Sequence, residues 1–538
     1  MLPTSGSFTP ALVLLAPTLL WLIGLVPARL ANARPRAMAR LNAAVAWLAF
    51  ACALVAAAAH PFAGIQTWVP LSLPLPGDIG ALSLSVHVNG LTVLMLLLVS
   101  FVGAIVSGYA GNYLDGDANQ GRFHKWLVLT LASILTLIVA GNLLMFSLAW
   151  ISTSLCLHQL LMFYRDRPAA VLSAHKKFIA SRIGDASLLT AIFLIGSTLH
   201  TLEIDQIFAR LAALDAPLPT SLEAAALLIV VSAALKSAQF PLHGWLIQVM
   251  EAPTPVSALL HAGIVNAGAF LVLRMSPILS HAGAALILLA IIGLITLALA
   301  SLVMLTQTSI KVSLAWSTTA QMGFMLLECG LGLYSLAMLH LVAHSLYKAH
   351  AFLASGSGVD AFRAPAVQLG ARPRLRSALL PALLIAGVLT ALVAALFGVT
   401  WGEQPALIAA GAIVAIAVTQ LVLETTTSLG RAGLLHALGL ATGVSVAYFA
   451  LHALFEHLLA GSVLPLREAA AASHRALAPA IVVSFLALMF LQQYLSSARS
   501  TLQERLYIHL YNGLYIDVYI TRLLQRVWPA PIPRNQGV

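Results

Sequence analysis

Apolar stretches long enough to cross a lipid bilayer recur along the whole chain, and they constrain its fold more than any other feature. A bilayer core of about 30 Å is spanned by roughly 20 apolar residues in an α-helix. Open sheets are excluded from lipid because their backbone polar groups would lack hydrogen-bond partners, and the alternation of a β-barrel is not visible. The sequence therefore predicts an all-α polytopic membrane protein.

Composition supports the same class. The 538 residues are 60% hydrophobic and only 9% charged, whereas a soluble domain carries about 25% charged residues. The net charge of +10 does not indicate nucleic-acid binding, because the basic residues lie in short segments between apolar stretches. The three cysteines lie inside apolar stretches and lack the spacing of a zinc site or a disulfide framework. The first apolar segment has no basic leader, so we interpret it as a retained helix.

The apolar pattern predicts fifteen transmembrane helices. The boundary between the fourth and fifth rests only on Gly141–Asn142, and segment 60–87 is predicted to be an external loop with local strand. The spans are 8–26, 41–59, 88–111, 126–140, 142–163, 182–200, 223–248, 253–275, 283–304, 309–332, 334–356, 378–400, 405–428, 433–455 and 477–497.

Lysine and arginine residues are distributed unevenly between the two sets of loops. With the N-terminus outside, 22 of the 28 lie in inner loops or the C-terminal tail and 4 lie in outer loops. Positive residues favour cytoplasmic loops, so this asymmetry predicts a periplasmic N-terminus and a cytoplasmic C-terminus. The mixed apolar and charged tail, 503–528, predicts an amphipathic helix pair against the inner surface or a partner; a simple interfacial anchor is the alternative.

Lys236 lies in the middle of predicted span 223–248, roughly 20 Å of helix rise from either end. A charge at such depth costs on the order of 3 kcal/mol by insertion scales. Pro241 lacks a backbone donor, so we predict a helix break beside the lysine, an arrangement with which transporters build ion sites. Snorkelling to an interface is the alternative, and the distance to either end argues against it.

His340, His344 and Lys348 follow one another at intervals of four and share one helix face over about 12 Å. Since histidine titrates near neutral pH, such a row can relay protons through water. Polar contacts that hold helices together, or a metal bound by the two histidines, are the alternatives. A metal is not expected, because the sequence indicates no carboxylate near the row.

Other ionisable residues are weaker candidates. His261 lies in the span after Lys236 and could link the two buried lysines, although an isolated buried histidine is more often structural. Among the rest, an arginine and an aspartate at the inner start of one span are expected to pair, and a glutamate in the thirteenth span lies near its Thr-rich end. These possible contributors are Arg182, Asp185, His158, Glu251 and Glu424.

Four segments occur in a characteristic order: KSAQFPLHGWL, EAPTPVSALLHAG, QTSIKVSLAWSTTAQMGFM and LHLVAHSLYKAHAFLASGSG. Together they resemble the proton-conducting membrane subunits of respiratory complex I, specifically the L-type subunit, and of the multisubunit cation/proton antiporters. The likeness extends over about 88–360 and returns weakly at YNGLYIDVY. It implies a fold with two inverted five-helix repeats and broken helices.

The resemblance also implies site residues and a division of the chain. The implied proton pathway consists of Lys236, His261, Lys311, His340, His344 and Lys348. The implied regions are N-terminal helices 1–125, a first antiporter-like repeat 126–275, a second repeat 276–430, C-terminal helices 431–498 and an amphipathic cytoplasmic tail 499–538.

The chain departs from that family's pattern in three places. Ile151, in LAWISTSL, stands where the family has a glutamate that pairs with the residue matching Lys236. The ionisable residue of the family's twelfth helix is missing from segment 378–402, with its Gly-Pro-Pro surroundings. No long lateral helix with a further span is predicted. The divergent pattern most resembles the membrane subunits of the DAB-type inorganic-carbon accumulation complexes.

That closer resemblance implies a large soluble partner, resembling DabA, that is similar to a β-type carbonic anhydrase and binds zinc. No catalytic site, metal site or cofactor is expected in this chain. The pair would use the proton motive force at a bacterial inner membrane to drive hydration of CO2 to bicarbonate. The alternatives are a subunit of a multisubunit Na+/H+ antiporter and a proton-pumping subunit of a complex I-type NADH-quinone oxidoreductase; the missing glutamate and lateral helix argue against the latter.

Overall fold

The structure, a computed structural model, describes residues 8–214, 217–357, 375–400, 404–429, 432–496 and 500–528. Each of the fifteen predicted spans coincides with helical structure, and eleven of the described helices are long and apolar enough to cross a membrane. The helices are α1 (Phe8–Gly24), α2 (Ala28–Ala33), α3 (Pro35–Ala63), α4 (Gly90–Tyr113), α5 (Gln120–Val139), α6 (Leu143–Leu161), α7 (Pro168–Leu199), α8 (Ile204–Ala212), α9 (Thr220–Lys236), α10 (Gly244–Gln248), α11 (Thr254–Ala262), α12 (Ala267–Arg274), α13 (Ser276–Leu279), α14 (Gly283–Met304), α15 (Ile310–Gly330), α16 (Tyr334–Leu353), α17 (Leu375–Leu396), α18 (Pro405–Leu429), α19 (Ala432–Leu458), α20 (Glu468–Ser496), α21 (Thr501–Tyr511) and α22 (Ile516–Val527). The strands are β1 (Gln66–Pro74) and β2 (Ala81–Val88).

A β-hairpin forms in the segment that was predicted to be a loop with local strand. Its strands pair antiparallel, with Gln66 opposite Val88. Pro70 lies where the register shifts, because proline cannot donate a hydrogen bond to the ladder. Gly77 has φ +83° and allows the chain to turn back between the strands.

The bundle has two ends, which we name from the elements that lie there. At the hairpin end, Asn142 closes the short turn between α5 and α6: its Oδ1 caps α6, and its Nδ2 donates to the Ala81 carbonyl of β2 and to Glu203. At the opposite, tail end, Tyr507 of α21 donates to the carbonyl of Thr306, beyond α14. The weak boundary at 141–142 is therefore a true helix boundary.

Within the described ranges, two of the predicted spans are interrupted. The first break separates α9 from α10, where Ala238 has φ +50° and Pro241 lacks a backbone donor. There Ser237 donates to the Val265 carbonyl and the Phe240 amide donates to a threonine of α14. The second break, at 263–266, separates α11 from α12. The break predicted beside Lys236 is confirmed.

Apolar side chains cover the outside of the bundle as well as its core. Leu380, Leu384, Val388 and Leu392 recur every fourth residue along α17, and each is more than half exposed, at 59–68%. A continuous apolar stripe of this kind is typical of a helix face turned to lipid. The chain is a multi-pass membrane protein.

Candidate functional site

Lys236 is the last residue of α9 and is buried, with 7% of its surface exposed. Its Nζ lies 3.5 Å from the carbonyl oxygen of Trp150 in α6 and 4.2 Å from the centre of the Trp150 ring. An aromatic face attracts a cation electrostatically. The neighbouring Ile151 packs against the apolar core, so α6 offers Lys236 a carbonyl and a ring rather than a carboxylate.

A second buried lysine lies beside the first. Lys177 of α7 donates two 2.7 Å hydrogen bonds, one to the Ser154 carbonyl and one to the Ser154 hydroxyl. Its charge acts on that of Lys236. Lys177 falls outside the predicted spans, between 142–163 and 182–200, but it is buried in a helix because α7 begins at Pro168, well before the predicted start of the span.

An ion pair on α7 supplies the negative charge near Lys236. Arg182 Nη2 lies 2.5 Å from Asp185 Oδ2, and the pairing expected from the sequence is therefore present. Between them in sequence, Gly184 packs against Leu235, which precedes Lys236. Helices α7 and α9 thus approach each other at this level, and the Asp185 carboxylate acts electrostatically on the Lys236 ammonium.

The remaining candidates are Glu251, His158 and Glu424. Glu251 is 3.6 Å from Arg167 in a partly exposed pair, so it does not turn toward Lys236. His158 of α6 packs against the Phe178 ring, at 5.3 Å between centres. Glu424 belongs to α18, and its side chain lies outside the described residues.

We call the groups around Lys236, on α6, α7 and α9, the first half of the site, and those on α15 and α16 the second half. His261 contacts the second half from α11. It is fully buried on α11, and its ring stacks on Phe352 of α16 at 4.3 Å between centres. His344, on the same helix as Phe352, lies close enough to the His261 backbone to interact with it. Neither ring nitrogen of His261 has a hydrogen-bond partner among the described residues. Its ring nitrogens are therefore not committed to a protein partner within the part of the chain that the structure describes.

The second half of the site contains two of the expected lysines at different depths. Lys348 is fully buried on α16, and its Nζ donates a 3.0 Å hydrogen bond to the Leu314 carbonyl of α15. Lys311 lies about one helical turn before Leu314 on α15, close to the tail end. It is half-buried and lies 3.3 Å from the Thr254 hydroxyl. The two lysines thus line α15 at successive levels.

His340 is held by two side chains of α15. Its Nδ1 is 2.9 Å from Glu328 Oε2, and its Nε2 is 2.7 Å from Gln321 Oε1. The rings of His340 and His344 are 6.2 Å apart. The expectation that no carboxylate lies near this histidine row is wrong, because the turn at 331–333 folds α15 back along α16 and brings Glu328 opposite His340.

In the part of the chain that the structure describes, His, Cys, Asp and Glu side chains form no group of three or more that could hold a metal ion. The buried groups described above are lysine, histidine and carboxylate side chains, each of which can bind a proton.

A buried arginine lies at the end of predicted span 253–275, at the hairpin end of the bundle. Arg274, at the end of α12, is only 1% exposed and donates to the Thr92 hydroxyl at 2.9 Å and to the Ile138 carbonyl at 2.8 Å. Nearby in β2, burial and the charge of Arg274 lower the pKa of His87 to about 3. His87 is therefore neutral and serves in hydrogen bonds, including one to Asn89.

The tail forms the predicted helix pair and lies against the bundle. Asp517 of α22 accepts from Lys176 of α7 at 2.7 Å and from Gln248 of α10 at 2.8 Å. Any side chain at position 244 would overlap Asp517, so Gly244 permits this close approach. The Trp528 ring stacks on His175 at 4.0 Å. The C-terminal tail thus packs against α7 and α10, on the side of the Lys236 group that faces the tail end of the bundle.

Family models match most of the region that carries this site. The model described as "NADH:quinone oxidoreductase/Mrp antiporter, TM" matches residues 140–399. A second model, for the N-terminus of chain 5 of NADH-ubiquinone oxidoreductase (complex I), matches residues 77–124.

Individual relatives extend the likeness to nearly the full chain. The "Probable inorganic carbon transporter subunit DabB2" of Halothiobacillus neapolitanus is 45% identical over 98% of this chain and 96% of its own length. NADH-quinone oxidoreductase subunit L of Mycobacterium tuberculosis is 37% identical over 55% of this chain and 46% of its own length. Among solved structures, a chain of the Mrp complex from Dietzia sp. matches with a TM-score of 0.54 at 24% identity, over 95% of this chain and 57% of that one. This last likeness concerns the fold alone.

Proposed function

Because the chain belongs to the family of antiporter-like membrane subunits found in complex I and Mrp antiporters, and within it resembles the DabB subunits, we propose that it conducts protons for inorganic-carbon accumulation. Its proton flow would drive a cytoplasmic partner, a large soluble zinc-binding subunit that resembles DabA and a β-type carbonic anhydrase. The observation that carries the proposal is the buried row of lysines and histidines in a chain so similar to a DabB2 subunit.

The row supports proton conduction because its members are ionisable groups buried inside the bundle. Lys236 lies in the first half; His261 stacks against α16, and His344 and Lys348 follow on α16. In a low-dielectric interior a proton moves only where side chains or water can carry it, and each of these groups can hold a proton. Lys311 extends the row toward the tail end.

We further propose that the N-terminus is periplasmic and the C-terminus cytoplasmic in a bacterial inner membrane. The excess of lysine and arginine in the loops of the tail end and in the tail itself supports this orientation. The partner would then bind at the tail end, where the proton is released.

The test is growth, at ambient CO2, of a bacterial strain without carbonic anhydrase that expresses this chain with the adjacent large soluble subunit. We expect growth rescue, its loss on addition of an uncoupler, and its loss in Lys236→Ala at normal membrane abundance. Lys125→Ala is the matched control, since Lys125 is half-buried at the tail end and away from the row. Full rescue by Lys236→Ala at normal abundance would refute the proposed role.

A second experiment locates the chemistry. The chain is purified with and without the soluble subunit, and zinc content and bicarbonate production are measured. We expect both only in the complex, and stoichiometric zinc in the isolated chain would overturn the assignment. Rescue of a salt-sensitive strain, with sodium-dependent proton movement and no effect on CO2-limited growth, would instead favour a Na+/H+ antiporter subunit.

A further inference from the structure

A cavity of about 530 Å³ opens at the hairpin end between α16, α18 and α19. Its lining includes Leu331, Tyr334, Gln404, His452 and Glu456. Leu331 lies one helical turn from Glu328, so the cavity reaches close to the buried carboxylate that contacts His340. The expected pathway residues do not include any group that joins this cavity to the histidine row.

Helix α19 provides polar groups between the cavity and Glu328. His452 and Tyr448 are four residues apart and therefore share a face of this helix. His452 lines the cavity, and the charge of Glu328 acts on the Tyr448 phenol one turn deeper. Across the gap, the buried Tyr334 hydroxyl has no hydrogen-bond partner among the described residues.

The contacts of His340 suit a group that gains and loses a proton. A carboxylate accepts only, so Nδ1 donates to Glu328, while Nε2 faces the side-chain oxygen of Gln321. This arrangement satisfies an imidazolium, in which both nitrogens donate. In the neutral imidazole that accepts a proton, Nε2 keeps its hydrogen on Gln321 Oε1 and Nδ1 accepts from Glu328 when that carboxyl is protonated. Both protonation states of His340 can therefore be accommodated without moving a helix.

We propose that Glu328 and His340 form a proton-loading pair that joins the histidine–lysine row to the hairpin-end cavity by way of Tyr448 and His452. This inference rests on the proposed proton-conducting function and deepens it. Glu328 would supply, from α15, the ionisable group that is missing from the segment corresponding to the family's twelfth helix.

The proton transfers balance without any further reactant. A water molecule of the cavity delivers a proton to the Glu328 carboxylate, directly or through the His452 ring and Tyr448 hydroxyl, and forms a neutral carboxylic acid. The acid gives that proton to Nδ1 of the neutral His340 ring, whose other proton is on Nε2, and returns to the carboxylate, leaving an imidazolium. His340 passes the proton on toward His344 and Lys348, and the pair is restored.

The test measures growth rescue together with membrane abundance in Glu328→Gln, Glu328→Asp and the control Glu223→Gln. Glu223 is an exposed acid at the hairpin end of α9. We expect rescue to fall to background in Glu328→Gln, to return in part in Glu328→Asp, and to persist in Glu223→Gln. Normal rescue by Glu328→Gln, while Lys236→Ala loses it, would refute this inference alone; normal rescue by both would refute the proposed function.

Two further measurements keep the inference testable if Glu328→Gln fails to accumulate. Tyr448→Phe removes only a hydroxyl, and we expect it to slow proton-driven uptake several-fold at unchanged abundance; an unchanged rate would remove Tyr448 from the route. Ser335 lines the cavity, and the single substitution Ser335→Cys in the otherwise unchanged chain should react with a membrane-impermeant maleimide added from the hairpin side. No reaction would show that the cavity is closed to that side, contrary to the proposal.

Discussion

Two of the buried lysines, Lys236 and Lys348, are held in different ways. Lys236 ends a broken helix, lies over the Trp150 ring, and has the charges of Lys177 and Asp185 as neighbours. Lys348 lies inside a continuous helix, and its ammonium donates to the backbone carbonyl of Leu314. The first site is thus a cluster of charges, and the second is a single charge held by a neutral dipole.

The carboxylates near these two lysines also differ in the partners that hold them. Asp185 is paired with an arginine on its own helix and offsets a group of cations. Glu328 is paired with a histidine on the neighbouring helix and lies near an opening to the hairpin end. We therefore expect the first carboxylate to keep its site folded and the second, as proposed above, to exchange protons.

The largest effect should follow from Asp185→Asn. Three cations, Lys177, Arg182 and Lys236, would lose their buried counter-charge, and breaking a buried pair costs on the order of 3 kcal/mol. We expect a large drop in the thermal stability of the detergent-purified subunit and loss of growth rescue. Asp185→Glu should retain stability, and adding Lys177→Met to Asp185→Asn should recover part of it. Unchanged stability in Asp185→Asn would show that the two sites are not distinguished by charge.

Lys348→Met should separate function from stability. The substitution removes an ammonium whose protein partner is a backbone carbonyl, and it replaces a buried charge with an apolar side chain of similar length. We therefore expect stability to be unchanged or slightly higher, while growth rescue falls to background. Thermal unfolding and membrane abundance are measured beside growth. A strong loss of stability would mean that Lys348 is structural, like the charges around Lys236.

These differences could be predicted only in part from the sequence. The apolar periodicity predicts the spans, and Pro241 predicts the break beside Lys236, because both depend on local backbone chemistry. Glu328 and Lys177 were missed because each lies near the end of a predicted span, where a charge ordinarily lies at the membrane surface. Only the pairing of α15 with α16, and the early start of α7, bury them.

Asp517→Asn should have an intermediate effect, confined largely to the first site. It removes the carboxylate that pairs with Lys176, next to Lys177, and so weakens the contact of α22 with α7 and α10. We expect faster proteolysis of the tail and a partial loss of growth rescue, because a lost charged hydrogen bond costs about 1–3 kcal/mol. Glu504→Gln, an exposed change in α21, is the control. Equal proteolysis of wild type and Asp517→Asn would show that the tail is held by other contacts.

The smallest effect should come from Ile151→Glu, which installs the carboxylate that the family resemblance leads one to expect. Trp150 contacts the Lys236 ammonium through both its carbonyl and its ring, so a glutamate at the next position of α6 can reach the same ammonium if it turns inward. A second carboxylate would stabilise the charged lysine and slow proton release, and it would make the first site less dependent on Asp185. We expect a few-fold lower rate of proton-driven inorganic-carbon uptake in Ile151→Glu, with Ile151→Gln as the uncharged control. We also expect the thermal stability lost in Asp185→Asn to recover in part when Ile151→Glu is added. If neither the rate nor the stability of the double variant changes, position 151 does not face Lys236, and Asp185 alone balances the charges of the first site.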